Sequence, residues 1–110
     1  MKLTKKAQAK FEKYFLSLPD TKSADDRLKM LIGNMWVRFD RLPEAMQWGI
    51  FQLFADSEGY DLCASQYDLT LFGWELFKGN TMIDEGFAFK TRPEAWKAAI
   101  EKLNEILNEK

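Results

Sequence analysis

The spacing of apolar residues changes period twice along this chain, and that constrains the fold more than any single motif. Up to Ser57 apolar residues return every three or four positions, the repeat of one helical face. From Tyr60 to Lys90 they alternate, the repeat of strands with one buried side. From Thr91 the helical repeat resumes and runs to Leu107. Helices, then strands, then a helix, in blocks, build an α+β fold on an antiparallel sheet rather than alternating βαβ units.

The first helix places Ala7, Phe11, Tyr14, Phe15 and Leu18 on one face, with Thr4 as its cap. Lys5, Lys6, Lys10 and Lys13 take the other faces, and Pro19-Asp20 ends it. Ser23 opens a second helix, with Asp25 and Asp26 at its positive end. Its apolar stripe is Ala24, Leu28, Leu31, Ile32, Met35 and Phe39.

A third helix starts with Pro43 in its first turn and runs to about Ser57. Met46, Ile50, Leu53 and Phe54 line its inner face and Trp48 and Phe51 widen the stripe, which predicts the most buried helix. Gly59 suits the left-handed residue that terminates it. Strands follow at Tyr60–Ser65, Leu71–Lys78 and Met82–Lys90, the last two joined at Gly79-Asn80. Phe72, Trp74 and Leu76 share one side of the second strand. Ile83, Phe87 and Phe89 are in phase on the third. Thr91 and Glu94 form a T-x-x-E capping box with Pro93 in the first turn. Trp96, Ala99, Ile100, Leu103, Ile106 and Leu107 make the last stripe.

The expected order is α-α-α-β-β-β-α, a three-stranded antiparallel meander with one face covered by helices. The 110 residues form one domain, divided into a helical pair over 1–41 and an α-β-β-β-α core over 42–110. Four Trp, three Tyr and nine Phe supply enough apolar area to close a core without disulfide or metal. No apolar run approaches the roughly 20 residues of a membrane span, and MKLTKKAQAKFEKYF lacks the apolar centre of a secretory signal. The expected compartment is the cytoplasm, where Cys63 stays reduced.

The chain has no histidine and one cysteine, Cys63. That removes the commonest general base and every Cys/His zinc pattern. No phosphate-cradling glycine motif occurs. Asp25/Asp26 serve a helix start, Asp84/Glu85 point to opposite faces of a strand, and Asp56-x-Glu58 lies at a helix end in water. The expectation is a chain without catalytic residues, metal or cofactor.

Charge is segregated. Residues 1–39 carry nine Lys/Arg and four Asp/Glu, residues 40–85 two and nine, and residues 86–110 five and four. The acidic run Asp56, Glu58, Asp61, Asp68, Glu75, Asp84, Glu85 suits a basic partner surface. Asp56, Glu58, Asp61 and Asp68 are the candidate partner-binding residues. Trp36 and Trp48, off the centres of their stripes, are candidate aromatic anchors if exposed.

Three stretches, LTKKAQAKFEKYFL (3–16), LPEAMQWGIFQLFADSEGY (42–60) and FKTRPEAWKAAIEKLNEIL (89–107), resemble small uncharacterised proteins of Bacteroidetes phages and prophages. The resemblance covers about half of the chain. It implies a mobile-element origin in a bacterial host and brings no catalytic residues. Small phage proteins of this kind often act by occupying a host protein. A nucleic-acid-targeting defence nuclease, alone or with its RNA, is a partner of suitable charge, which would make the chain an anti-CRISPR-like inhibitor.

The alternative is a nucleic-acid module. Residues 43–108 read α-β-β-β-α, the order of a double-stranded-RNA-binding domain, with Lys90, Arg92 and Lys97 at its last helix start. Lys5, Lys6 and Lys10 offer a second basic face. Pro93, Glu94 and Trp96 dilute the first group, and the acidic strands oppose phosphate binding. Trp74, Phe72, Phe87 and Phe89 are better core filler than base-stacking platforms. The preferred reading is therefore a protein partner.

Overall fold

The computed structural model describes residues 1–17 and 39–109, the side chains of residues 16 and 17 excepted. The elements are α1 (Lys5–Ser17), α2 (Glu44–Ser57), β1 (Tyr60–Gln66), β2 (Phe72–Lys78), β3 (Thr81–Phe89) and α3 (Arg92–Asn108). The fold is α+β with an antiparallel sheet in the order β1-β2-β3. The described order is α-α-β-β-β-α, which does not match the seven-element order expected. The additional helix, expected from Ser23, falls outside the described residues, as does Trp36.

The sheet's inner face meets the helices. Tyr60 and Leu62 of β1 and Trp74 and Leu76 of β2 are buried there. Phe51, Phe54 and Ala55 of α2 and Ala95, Ala99, Ile100, Leu103 and Leu107 of α3 complete the core with Leu3, Ala7 and Phe11. Phe11 is the hub of an aromatic cluster, with ring centroids 4.8 Å from Phe51, 5.2 Å from Phe54 and 5.3 Å from Phe39. Aromatic rings bury the most area per residue, so these contacts set how α1 and α2 pack.

That weight turns α2 away from the expected orientation. Its buried face is Gln47, Trp48, Phe51, Phe54 and Ala55, while Met46 and Leu53 are 53% and 59% exposed. Burying three large rings outweighs burying Met46 and Leu53. Pro43 is the residue before the helix rather than in its first turn, with φ −54° and ψ 145°. Its carbonyl accepts the Met46 and Gln47 amides. Gly59, φ +88°, terminates α2 as expected.

The start of α1 is capped from another helix. Thr4 N–H donates to Asn104 Oδ1 at 2.8 Å, and Ala7 N–H to Asn108 Oδ1 at 2.9 Å. The Thr4 hydroxyl, expected to cap the helix, instead accepts the side-chain amides of Asn104 and Asn108 at 3.2 Å each. Helix starts leave N–H groups without intrahelical acceptors. Two asparagines one turn apart on α3 supply them and tie α1 to α3. In α3 itself Thr91 Oγ1 accepts Glu94 N–H at 3.3 Å, the Thr half of the expected capping box.

Lys78 pairs with Thr81 across a two-residue turn in which Gly79 has φ +62° and Asn80 is not left-handed. That sign pattern belongs to a II′ hairpin turn. Beyond it β3 departs from plain alternation. Phe77 faces Met82 but Leu76 faces Asp84, and Trp74 faces Gly86 but Phe72 faces Phe89. Each step gives β3 one extra residue, a β-bulge. The segment between the bulges is inverted relative to plain alternation. Glu85 and Phe87 turn outward, while Asp84 and Gly86 turn toward the helices. Ile83, Phe87 and Phe89 are therefore not in phase: Ile83 is a bulge residue, Phe87 lies on the outer face, and Phe89 packs against the core.

Candidate partner-binding face

Among the described residues no helix covers the outer face of the sheet. Cross-strand partners share a face, so the register defines its rows. The first row is Asp61, Phe77 and Met82; the next is Cys63, Glu75 and Glu85. Ser65 and Gly73 lie beyond, with Phe87 beside them. The β1–β2 loop closes this end with Tyr67, Asp68 and Leu69. Phe87 is 54% exposed, Tyr67 48%, Met82 43% and Leu69 90%. Apolar side chains of this size, gathered on one face, make it a candidate interaction surface.

Backbone geometry holds the aromatic end in place. Tyr67 packs edge-on against Phe87, centroids 5.7 Å apart at 85°. Its hydroxyl accepts the Ala88 N–H at 2.7 Å. Ala88 has φ +67°, a left-handed conformation uncommon outside glycine. Gly73 leaves the room: a Cβ there would come within 2.7 Å of Gly86 O and 3.3 Å of Phe87. On the loop, Gln66 Nε2 donates to Leu69 O at 2.9 Å.

The centre of the face is negative. Glu75 and Glu85 stand directly opposite each other on neighbouring strands. Among the described residues no Lys or Arg reaches ion-pair distance of Asp61, Glu75 or Glu85. Cys63 registers the field. Burial first, then its 3.4 Å hydrogen bond to Asp61 and the charges of Asp61 and Glu75, push its thiol up from 9.0. Asp84, on the other face, bridges to Lys102 at 3.5 Å, so Asp84 and Glu85 do point to opposite sides. The charge of Glu105 above all, then that of Asp84, raises the Lys102 ammonium.

The expected site residues do not form one patch. Asp61 lies on the outer face, and Asp68 on the loop at its aromatic end. Asp56 is exposed in the last turn of α2, and Glu58 pairs with Lys10 at 3.6 Å. Trp48 is not an exposed anchor. It is 7% exposed and stacks on Trp96, centroids 5.9 Å apart at 10°. Of the expected nucleic-acid set, Lys5 and Lys6 are exposed at the start of α1, and Lys90 is exposed before α3. Arg92 lies 4.9 Å over the Phe72 ring and Lys97 pairs with Glu44 at 3.9 Å. Trp74, Phe72 and Phe89 serve the core, as expected; Phe87 does not.

Tyr67, Met82 and Phe87 are missing from the expected partner-binding set; Glu75 and Glu85 belong to the expected acidic run but not to the four candidate residues chosen from it. Alternation on β2 puts Gly73, Glu75 and Phe77 on the face away from Trp74 and Leu76, and that signal was readable for Glu75. No signal of period two reaches Glu85 and Phe87, because the bulges hide it. Among the described residues no three His, Cys, Asp or Glu side chains gather as a metal site, and no helix is long and apolar enough to cross a membrane. No protein-family model, curated protein or solved structure matches the chain.

Proposed function

We propose that this chain is a non-enzymatic binding protein that docks another protein on the open face of its sheet. The observation that carries the reading is a sheet face that no described helix covers, where exposed Tyr67, Met82 and Phe87 flank carboxylates with no described counter-ion. Apolar anchors supply contact area, and complementary charge supplies orientation and encounter rate. A host partner with a basic surface fits this chemistry. The nucleic-acid channel of a defence nuclease is such a surface, and its occupation by carboxylates would make the chain an inhibitor. The phage resemblance of the three sequence blocks supports that setting.

Duplex-RNA binding is the second reading, favoured by the order α2-β1-β2-β3-α3. Against it, two of the three cations at the start of α3 are already engaged, Arg92 with Phe72 and Lys97 with Glu44.

The test is capture of partners from bacterial lysate with wild-type protein and with Phe87→Ser, before and after nuclease treatment. A nuclease-resistant protein partner lost with Phe87→Ser supports docking on the sheet face. Capture that vanishes with nuclease, or that ignores Phe87→Ser, rejects it.

A further inference from the structure

We infer that the open face takes an arginine-bearing segment of its protein partner, the guanidinium bridging Glu75 and Glu85 and its flat side against the exposed rings of Phe87 and Tyr67. The inference rests on the docking reading above and narrows it to one chemistry. Two like charges directly opposite on adjacent strands destabilise a sheet. The chain holds Glu75 and Glu85 in that position, and no described cation relieves them. A single cation between them would satisfy both carboxylates at once.

Arginine suits this place better than lysine. Its planar fork presents several donors in fixed directions, its charge is weakly hydrated, and its faces stack on aromatic rings. Phe87 follows Glu85 by two residues on the same face, and Tyr67 touches Phe87. The carboxylates and the rings are therefore neighbours. The chain already uses this pairing on its own sheet: the Arg92 guanidinium sits over Phe72 while its Nη2 donates to Gln66 Oε1 at 3.4 Å. The outer face repeats the ring and replaces the amide by two carboxylates. An ammonium would meet the carboxylates as a point charge and leave the rings less covered.

Cys63 provides the readout. It is the sole cysteine, partly exposed, and its cross-strand partner is Glu75. The probe is a short fluorescein-labelled peptide with arginine alternating with leucine, compared with the same peptide carrying citrulline, which keeps the shape without the charge. Binding to the full chain is read by anisotropy, and occupancy by protection of Cys63 from iodoacetamide. The arginine peptide is expected to bind about tenfold or more tightly than the citrulline peptide, and to protect Cys63. The double variant Glu75→Gln/Glu85→Gln is expected to lose about tenfold in affinity without any fall in melting temperature. Equal binding of the two peptides, unchanged affinity in the double variant, or binding without protection of Cys63 would overturn the inference. The lysate capture separates the two readings. A partner lost with Phe87→Ser but kept with Glu75→Gln/Glu85→Gln overturns the arginine bridge and leaves docking standing. A partner kept with both variants overturns both.

Discussion

The two faces of this sheet are built from the same strands and have opposite energetics. On the inner face Tyr60, Leu62, Trp74 and Leu76 are covered by α2 and α3. On the outer face Phe87 and Met82 are left half in water, beside a pair of like charges. The inner face follows what stability asks of a sheet. The outer face violates it twice, with exposed rings and carboxylates that no described cation pairs, and such local violations are expected where a surface serves a partner. The contrast also separates the roles of aromatic residues. Trp74 has its indole nitrogen buried without a hydrogen-bond partner among the described residues, an inner-face cost accepted for packing. Tyr67 keeps its hydroxyl bonded to a bulge and its ring available.

The contrast is broken most strongly from the inside. Trp74→Ala is expected to cost about 3–5 kcal/mol, whereas Phe87→Ser should cost under about 1 kcal/mol while abolishing capture of the partner. Urea denaturation of both variants measures the difference, and comparable costs would show that the outer rings are core. Gly86→Ala comes next. A Cβ there collides with the Trp74 indole, so the variant should lose about 1–3 kcal/mol in the same assay. Asn108→Ala removes the acceptor of the Ala7 N–H and should cost about 1 kcal/mol, with amide exchange accelerated first at the start of α1. Glu75→Gln/Glu85→Gln sharpens the contrast with the opposite sign. It relieves a like-charge pair and should raise stability by about half a kcal/mol, most visibly at low salt.

The smallest effect is that of pH on Cys63. Its thiol is raised in the fold, so its contribution to stability is complete below the ordinary thiol value of 9.0 and disappears as pH rises through the folded value. Asp61→Asn keeps an amide oxygen that can accept but removes the charge, and should bring the thiol down. The alkylation rate at mildly alkaline pH then rises, and an unchanged rate would mean that Asp61 does not act on Cys63.

Much of the fold was legible because local patterns and tertiary packing agree. The Gly79-Asn80 turn, the Gly59 terminus and the Thr91 cap each follow from one or two residues whose conformational preferences leave few alternatives. The orientation of α2 was not legible. Its sequence is apolar around much of the circumference, and only contact with Phe11 and β1 decides that Met46 and Leu53 face out. The capping of α1 by Asn104 and Asn108 joins residues about one hundred positions apart, and no local pattern announces it. The candidate site was legible only in its charge. Asp61 and Asp68 were found because acidity is visible in composition, whereas Phe87 and Tyr67 depend on strand register.

The two bulges of β3 act like a pair of compensating frameshifts. The first inverts the reading of inside and outside, and the second restores it, so only the stretch from Asp84 to Phe87 is affected. Tolerance of the strand to gain or loss of a residue should therefore be uneven. Ile83 and Ala88 sit where no residue of β2 is paired with them, and deleting either leaves Glu85 outside and Phe89 inside. Deleting Gly86, between them, closes the second bulge only by bringing Phe87 opposite Trp74, onto the inner face. Chains of this fold that vary in length along β3 should vary at those two positions, and it is there that an exposed acidic-aromatic surface can be acquired or lost without disturbing the core beneath it.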